Sequence, residues 1–219
     1  MSVKAILFDF DGTLADTANI HVAAWERTFA EIGFVIPQDV CLRAVEEDDR
    51  RFLVDVFASK DVLDGDVEGW LRRKQDVTAT MLADAPQIYP GVIELITRLR
   101  DHYRLAVVTT TWRENVVATL EAAGIADAFE VVVAKQDVAS QKPDAEAYTL
   151  ALSRLGVDAS SAWAVEDSPS GVRAAIAAGL RVVAVGHRSP RGDWSVDATY
   201  LESLVNELDF LEVVRAEPS

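Results

Sequence analysis

From residue 89 to residue 185 the chain alternates apolar helical stripes with short continuous apolar runs, and that alternation leaves few folds open. Val92, Leu95, Ile96 and Leu99 fall at i, i+3, i+4 and i+7, which predicts a helix. "YRLAVVTT", 103–110, is apolar throughout its centre, the pattern of a strand buried on both faces. Val116, Leu120 and Ala123 predict the next helix, "FEVVVA" (129–134) a strand, and Tyr148, Ala151, Leu152 and Leu155 a helix. "AWAVED" (162–167), a helix through Val172, Ala175 and Ile176, and "RVVAV" (181–185) complete the series. Gly124, Gly156 and Gly179 stand where left-handed caps would end three of these helices. Strand, helix, strand in this order requires crossovers between parallel strands. The expected fold class is therefore α/β, a doubly wound parallel sheet of the Rossmann-like kind.

Residues 15–88 break the rhythm. Val22, Trp25, Phe29 and Ile32 form one helical stripe, Phe52, Leu53, Val56 and Phe57 a second, and Trp70, Leu71, Lys74, Val77 and Met81 a third. No strand is expected there. The division is thus an α/β core from 1–14 and 89–219, with 15–88 an inserted all-helical cap domain. Hinges are expected near 14–18 and 84–90.

The stretch before the insert carries the chemistry. "ILFDFDGTLADT", 6–17, runs an apolar strand into Asp9 and Asp11. Residues two apart on an extended segment point the same way, so both carboxylates face one place. In an open parallel sheet that place, at the carboxyl ends of the strands, is where ligands bind. The second strand ends in Thr109, Thr110 and Thr111, the fourth in Glu166 and Asp167, and Lys142 follows the third. Clustered carboxylates repel unless a cation neutralises them, and hard Mg²⁺ takes carboxylate oxygens together with phosphate. Hydroxyls and an ammonium are what phosphate oxygens need.

The formal net charge of −15 repels nucleic acid and anionic lipid, so neither is an expected partner. It also repels anionic metabolites at long range, which makes local cations such as Lys142 necessary at a phosphate site. No apolar run approaches the ~20 residues of a membrane span. The chain begins directly with a strand, so no signal peptide is expected. Cys41 is the single cysteine, which excludes an intrachain disulfide and fits a cytoplasmic setting. Without an activating partner it reads as a packing residue.

"DFDGTLADT", "AVVTT", "QKPDAEAY" and "AVEDSPSGV" resemble, in order, the four motifs of the haloacid dehalogenase superfamily. The resemblance spans most of the chain, with the insert where that family carries its lid. "DTANIHVAAWERTFAEIG" and "YPGVIELITRLR" look like the branch containing β-phosphoglucomutase and its sugar-phosphate phosphatase relatives. The resemblance implies Asp9 as the nucleophile that forms an aspartyl-phosphate, and Asp11 as general acid and then base. It implies Mg²⁺ held by Asp9, the backbone carbonyl of Asp11, and Asp167, with Glu166 beside them. Thr109, Lys142 and the backbone at Thr110 would bind the transferring phosphate. His21 matches a histidine of the mutase branch and would bind substrate; a packed hinge residue is the other reading. Trp112 and Arg113 either line the crevice or begin a helix.

Three functions compete. The first is an Mg²⁺-dependent phosphatase of a small phosphorylated metabolite such as a sugar phosphate, working as a monomer or weak homodimer. The second is a phosphosugar mutase, whose lid grips the distal phosphate with an arginine. In "AVEEDDRR", 44–51, Glu47 falls at that position, which favours the phosphatase unless Arg50 or Arg51 substitutes. The third is a phosphoacceptor signalling domain, which at ~120 residues would be much shorter and would have no lid.

Overall fold

The computed structural model describes residues 3–43, 49–60, 66–187, 198–204 and 207–215. Six strands form one parallel sheet: β1 (Ala5–Phe8), β2 (Arg104–Val108), β3 (Val131–Val133), β4 (Ala162–Glu166), β5 (Arg181–Val185) and β6 (Ala198–Leu201). Their spatial order is β3-β2-β1-β4-β5-β6. The chain therefore winds outward from β1 in one direction and then in the other, which opens a crevice at the carboxyl ends of β1, β2 and β4. Ala5, Leu7 and Phe8 pair in register with Arg104, Ala106 and Val107 on one side, and with Ala162, Ala164 and Val165 on the other.

Period-two alternation divides β1 between the two faces. Ile6 and Phe8 join a cluster with α5 (Val92–Leu99), α6 (Arg113–Ala122) and α9 (Glu207–Arg215). Ala5 and Leu7 join a second cluster with α7 (Glu146–Leu155) and α8 (Pro169–Ala177). Gly124, Gly156 and Gly179 all take positive φ at the helix ends, as the spacing predicts.

The insert is helical, with α1 (Ala18–Ala30), α2 (Gln38–Leu42), α3 (Asp49–Ser59) and α4 (Val67–Asp84). It has its own apolar cluster, in which Trp25 stacks on Phe29 at 5.1 Å and meets Phe52 edge-on at 5.3 Å. Cys41 is fully buried in this cluster, and burial pushes its thiol up to about 11, so it packs as an inert apolar group. Two bridges tie the links of the insert: Asp11 with Ala15, and Ala15 with Ile88. The links are further joined by Tyr89 N–H donating to Leu14 O at 3.0 Å and Asp16 N–H to Gln87 O at 2.8 Å.

Three elements were not foreseen. β6 is a half-exposed edge strand of four residues, too short and mixed to show a period. α9 follows it and buries Phe210 and Val214. α2 spans five residues, less than two helical turns. Among the described residues no helix is long and apolar enough to cross a membrane.

Candidate active site

Asp9 follows β1 directly, and its backbone N–H continues the ladder by donating to Val165 O at 2.9 Å. Glu166 closes β4 and Asp167 follows it, so the two adjacent strands deliver three carboxylates to one spot. Their oxygens lie within 4.8 Å of one another, and all three residues are buried. Lys142 reaches the same spot from the loop after β3. Its ammonium lies 2.5 Å from Asp9 Oδ1, 2.6 Å from Glu166 Oε1 and 2.8 Å from Val108 O. Burial alone would lower this ammonium; the carboxylates of Asp9 and Glu166 outweigh it and hold the group above its ordinary range.

Glu166 is the most buried of the three. Its Oε1 also accepts from the hydroxyl of Tyr148, on α7, at 2.6 Å. Desolvation pushes its carboxyl up, to about 7, even with Lys142 drawing it down. The carboxylate also occupies the space where a Cβ on Gly171 would stand, so the glycine of "SPSGV" is required by close approach. α8 begins there because Ser168 caps it, accepting from Gly171 N–H at 3.1 Å, with Pro169 in the first turn.

Asp11 stands apart from the three-carboxylate group. Its carboxylate accepts from the hydroxyls of Thr17 and Thr111. Thr17 is the N-cap residue of α1, yet its side chain makes no cap hydrogen bond; it serves Asp11 instead. Gly12, at φ 86°, turns the chain between Asp11 and Ala15. Thr109 is buried at the end of β2, where its hydroxyl accepts from Thr111 N–H at 3.0 Å. The side chain of Thr110 is exposed, and it is Thr111 that meets Asp11.

His21 lies on α1, and its Nδ1 accepts from the ammonium of Lys74 at 2.8 Å. Lys74 has no exposed surface, although it sits on a helix whose apolar stripe includes it. It also donates to Asp49 at 3.0 Å, and Asp49 in turn accepts from Trp25 Nε1 at 3.2 Å and Gln75 Nε2 at 3.0 Å. Desolvation lowers Lys74, while Lys74 keeps the Asp49 carboxylate ionised despite its burial. Gln75 accepts from Asn115 on α6 at 2.9 Å, which links the insert to the sheet-bearing part of the chain.

Arg113 turns away from the crevice to Asp137 and Val132 O. Trp112 starts α6, with Lys135 Nζ 5.8 Å from its ring centre. Arg50 pairs with Glu68 on the outside of the insert. Glu47 lies outside the described residues. Among the described residues His187 meets Gly12, Tyr89 and Leu204. Thr17 and Gly171 were not singled out from sequence, and Thr111 and Tyr148 were read only as a strand end and a helical-stripe residue. The run "TTTWR" put Thr111 within one residue of the expected position.

A family model for haloacid dehalogenase-like hydrolases matches residues 6–185. The chain belongs to that family. This hydrolase is 36% identical over 203 residues to protein CbbY of Rhodobacter capsulatus, covering 88% of this chain and 89% of the relative. It is 28% identical over 215 residues to a phosphorylated carbohydrates phosphatase of Thermotoga maritima, covering 97% and 99% of the two chains. Among solved structures it resembles a CbbY variant from Rhodobacter sphaeroides in complex with xylulose-(1,5)bisphosphate. The TM-score is 0.76 at 32% identity, over 93% of this hydrolase and 96% of the other chain.

Proposed function

We propose that this enzyme is an Mg²⁺-dependent phosphatase of a small phosphorylated sugar, acting through an aspartyl-phosphate. One observation carries the reading. A buried carboxylate, Asp9, stands beside a buried ammonium at the mouth of the crevice, and a second acid, Asp11, is held separately by two hydroxyls. The phosphatase relative and the sugar bisphosphate in the CbbY complex support the substrate class.

In this mechanism an Asp9 oxygen forms a bond to phosphorus as the bond to the leaving oxygen breaks. Asp11 gives its proton to that oxygen and later takes one from the water that hydrolyses the acyl phosphate. Lys142 and Thr109 bind the phosphate oxygens, and the amides near Thr110 assist. Residues 15–88 act as a lid, with His21 and Lys74 on its inner side, and exclude bulk water from the intermediate. A long-lived phosphorylated signal fits such a lid poorly.

The donor set fits Mg²⁺, because three buried carboxylates with one ammonium among them leave an excess of negative charge on hard oxygens. Asp9, Asp167 and the Asp11 carbonyl would hold the ion, with Glu166, already bound to Lys142 and Tyr148, beside it. When bound, the ion supplies positive charge for the phosphate oxygens. Chelator is expected to abolish hydrolysis of p-nitrophenyl phosphate and Mg²⁺ to restore it. Ca²⁺ is expected to inhibit, because its higher coordination number misplaces the attacking carboxylate. Full turnover in metal-free buffer would remove the metal from the reading.

The mutase alternative needs a lid cation for a distal phosphate. Arg50 is engaged by Glu68, Arg51 is likewise already partnered, and the Lys74 charge is balanced by Asp49. Net phosphate release from sugar monophosphates is therefore expected, with little conversion of β-glucose 1-phosphate to glucose 6-phosphate. A free-phosphate assay beside a glucose 6-phosphate dehydrogenase assay, with a bisphosphate primer added, decides between them. Isomerisation outpacing phosphate release would make the enzyme a mutase.

A further inference from the structure

The imidazole of His187 meets both links between the insert and the sheet. Its Nδ1 lies 3.1 Å from the carbonyl oxygen of Gly12, in the turn directly after Asp11. Its ring stacks on Tyr89, with centroids 4.1 Å apart and planes 29° apart. Tyr89 is itself bonded through its N–H to Leu14 O, and Ile88 pairs with Ala15. The third partner fixes the tautomer. Leu204 N–H donates to Nε2 at 3.4 Å, so Nε2 is the acceptor and Nδ1 carries the proton given to Gly12. Burial, which holds this imidazole below its usual value, favours the same neutral form.

Gly12 N–H donates to Ala15 O at 2.8 Å, and the Asp11–Ala15 bridge closes the turn. Where this turn sits sets where the Asp11 carboxylate meets Thr17 and Thr111. We propose that His187 is a positioning residue for the phosphoryl-transfer chemistry: it braces the Gly12 turn and Tyr89 together, and so holds Asp11 where it can protonate the leaving group. This rests on the acid role assigned to Asp11 above.

The test compares two aryl phosphates of nearly the same shape. Nitrophenolate departs readily without a proton, whereas phenolate depends more on the acid. His187→Phe keeps a ring to stack on Tyr89 and loses both hydrogen bonds. It is expected to lower kcat/KM for phenyl phosphate by about tenfold, the value of roughly one lost hydrogen bond, and for p-nitrophenyl phosphate by less than about threefold. His187→Asn places an amide donor where Nδ1 stood and is expected to recover phenyl phosphate turnover; His187→Gln, which places its amide nearer Nε2, is not. Equal losses on both substrates, no loss, or equal behaviour of the Asn and Gln variants would overturn the proposal.

Amide hydrogen exchange gives a readout independent of turnover. In His187→Phe the Gly12 and Tyr89 amides are expected to exchange about tenfold faster than in the unaltered protein. Unchanged protection there overturns the brace. Faster exchange combined with an inactive unaltered enzyme would instead count against the phosphatase reading alone.

Discussion

Replacing Asp9 with asparagine is expected to abolish phosphate release while leaving the fold intact. The substitution barely changes volume, and the site it occupies is 7% exposed. It removes the attacking anion, so kcat on p-nitrophenyl phosphate should fall by at least about a thousandfold. It also removes one of three carboxylates gathered within 4.8 Å, while Lys142 keeps its 2.6 Å contact with Glu166. In metal-free buffer the melting temperature should therefore stay level or rise. A folded variant that keeps a tenth of the original kcat would show that Asp9 is not the nucleophile.

The second large effect belongs to Lys142. Methionine there keeps most of the apolar stem but leaves Asp9, Glu166 and the Tyr148 hydroxyl facing one another without a cation. Breaking a buried ion pair by removing one partner costs ~3–5 kcal/mol. For a chain of this size each kcal/mol moves the melting temperature by ~2–4 °C, so a fall of roughly 6–20 °C is expected, together with loss of activity. The loss should depend on pH. Desolvation already raises the Glu166 carboxyl from 4.5 to about 7, so the folded state holds that proton more tightly than the unfolded chain. Stability from this group is complete below 4.5 and declines as pH rises through about 7. Without Lys142, which draws Glu166 down, that window moves higher, and acidifying the Lys142→Met variant from pH 8 to pH 5.5 should recover part of the lost stability. Thermal melts across that range are the measurement; a deficit that does not change with pH would mean that Glu166 is not the group left uncompensated.

How much of this was legible in the amino-acid order follows from what each feature depends on. Strands β1 to β5 and the helices between them other than the five-residue α2 were readable, because burial on both faces of a parallel sheet forces continuous apolar runs and helical stripes. The positions of Asp9, Asp11 and Asp167 at the carboxyl ends of β1 and β4 were readable for the same reason, whereas Lys142, in the loop after β3, was picked out by its Lys-Pro motif. β6 was not, because an edge strand half open to water needs no apolar pattern. α9 was not read either, although Phe210 and Val214 pack into the first cluster.

The hydroxyls around Asp11 show the boundary between the two kinds of information. Thr17 occupies a helix-start position and Thr111 the end of a threonine run, and local rules assign them a cap and a strand end. Thr17 reaches Asp11 from six residues away, but only the approach of the end of β2 to the Gly12 turn, a hundred residues off in the chain, makes Thr111 the second donor to the same carboxylate. Lys74 fell on an apolar stripe by periodicity, but that its charge is balanced by Asp49 depends on how α3 and α4 pack. The sequence alone determined the order of the elements from β1 to β5, the short α2 apart, and which residue types stand at those strand ends, since both follow from short-range periodicity and side-chain chemistry. Tertiary structure decided which of those side chains share a partner, because hydrogen bonds and ion pairs act over a few ångströms, and which groups lie that close is settled by packing between segments distant in sequence.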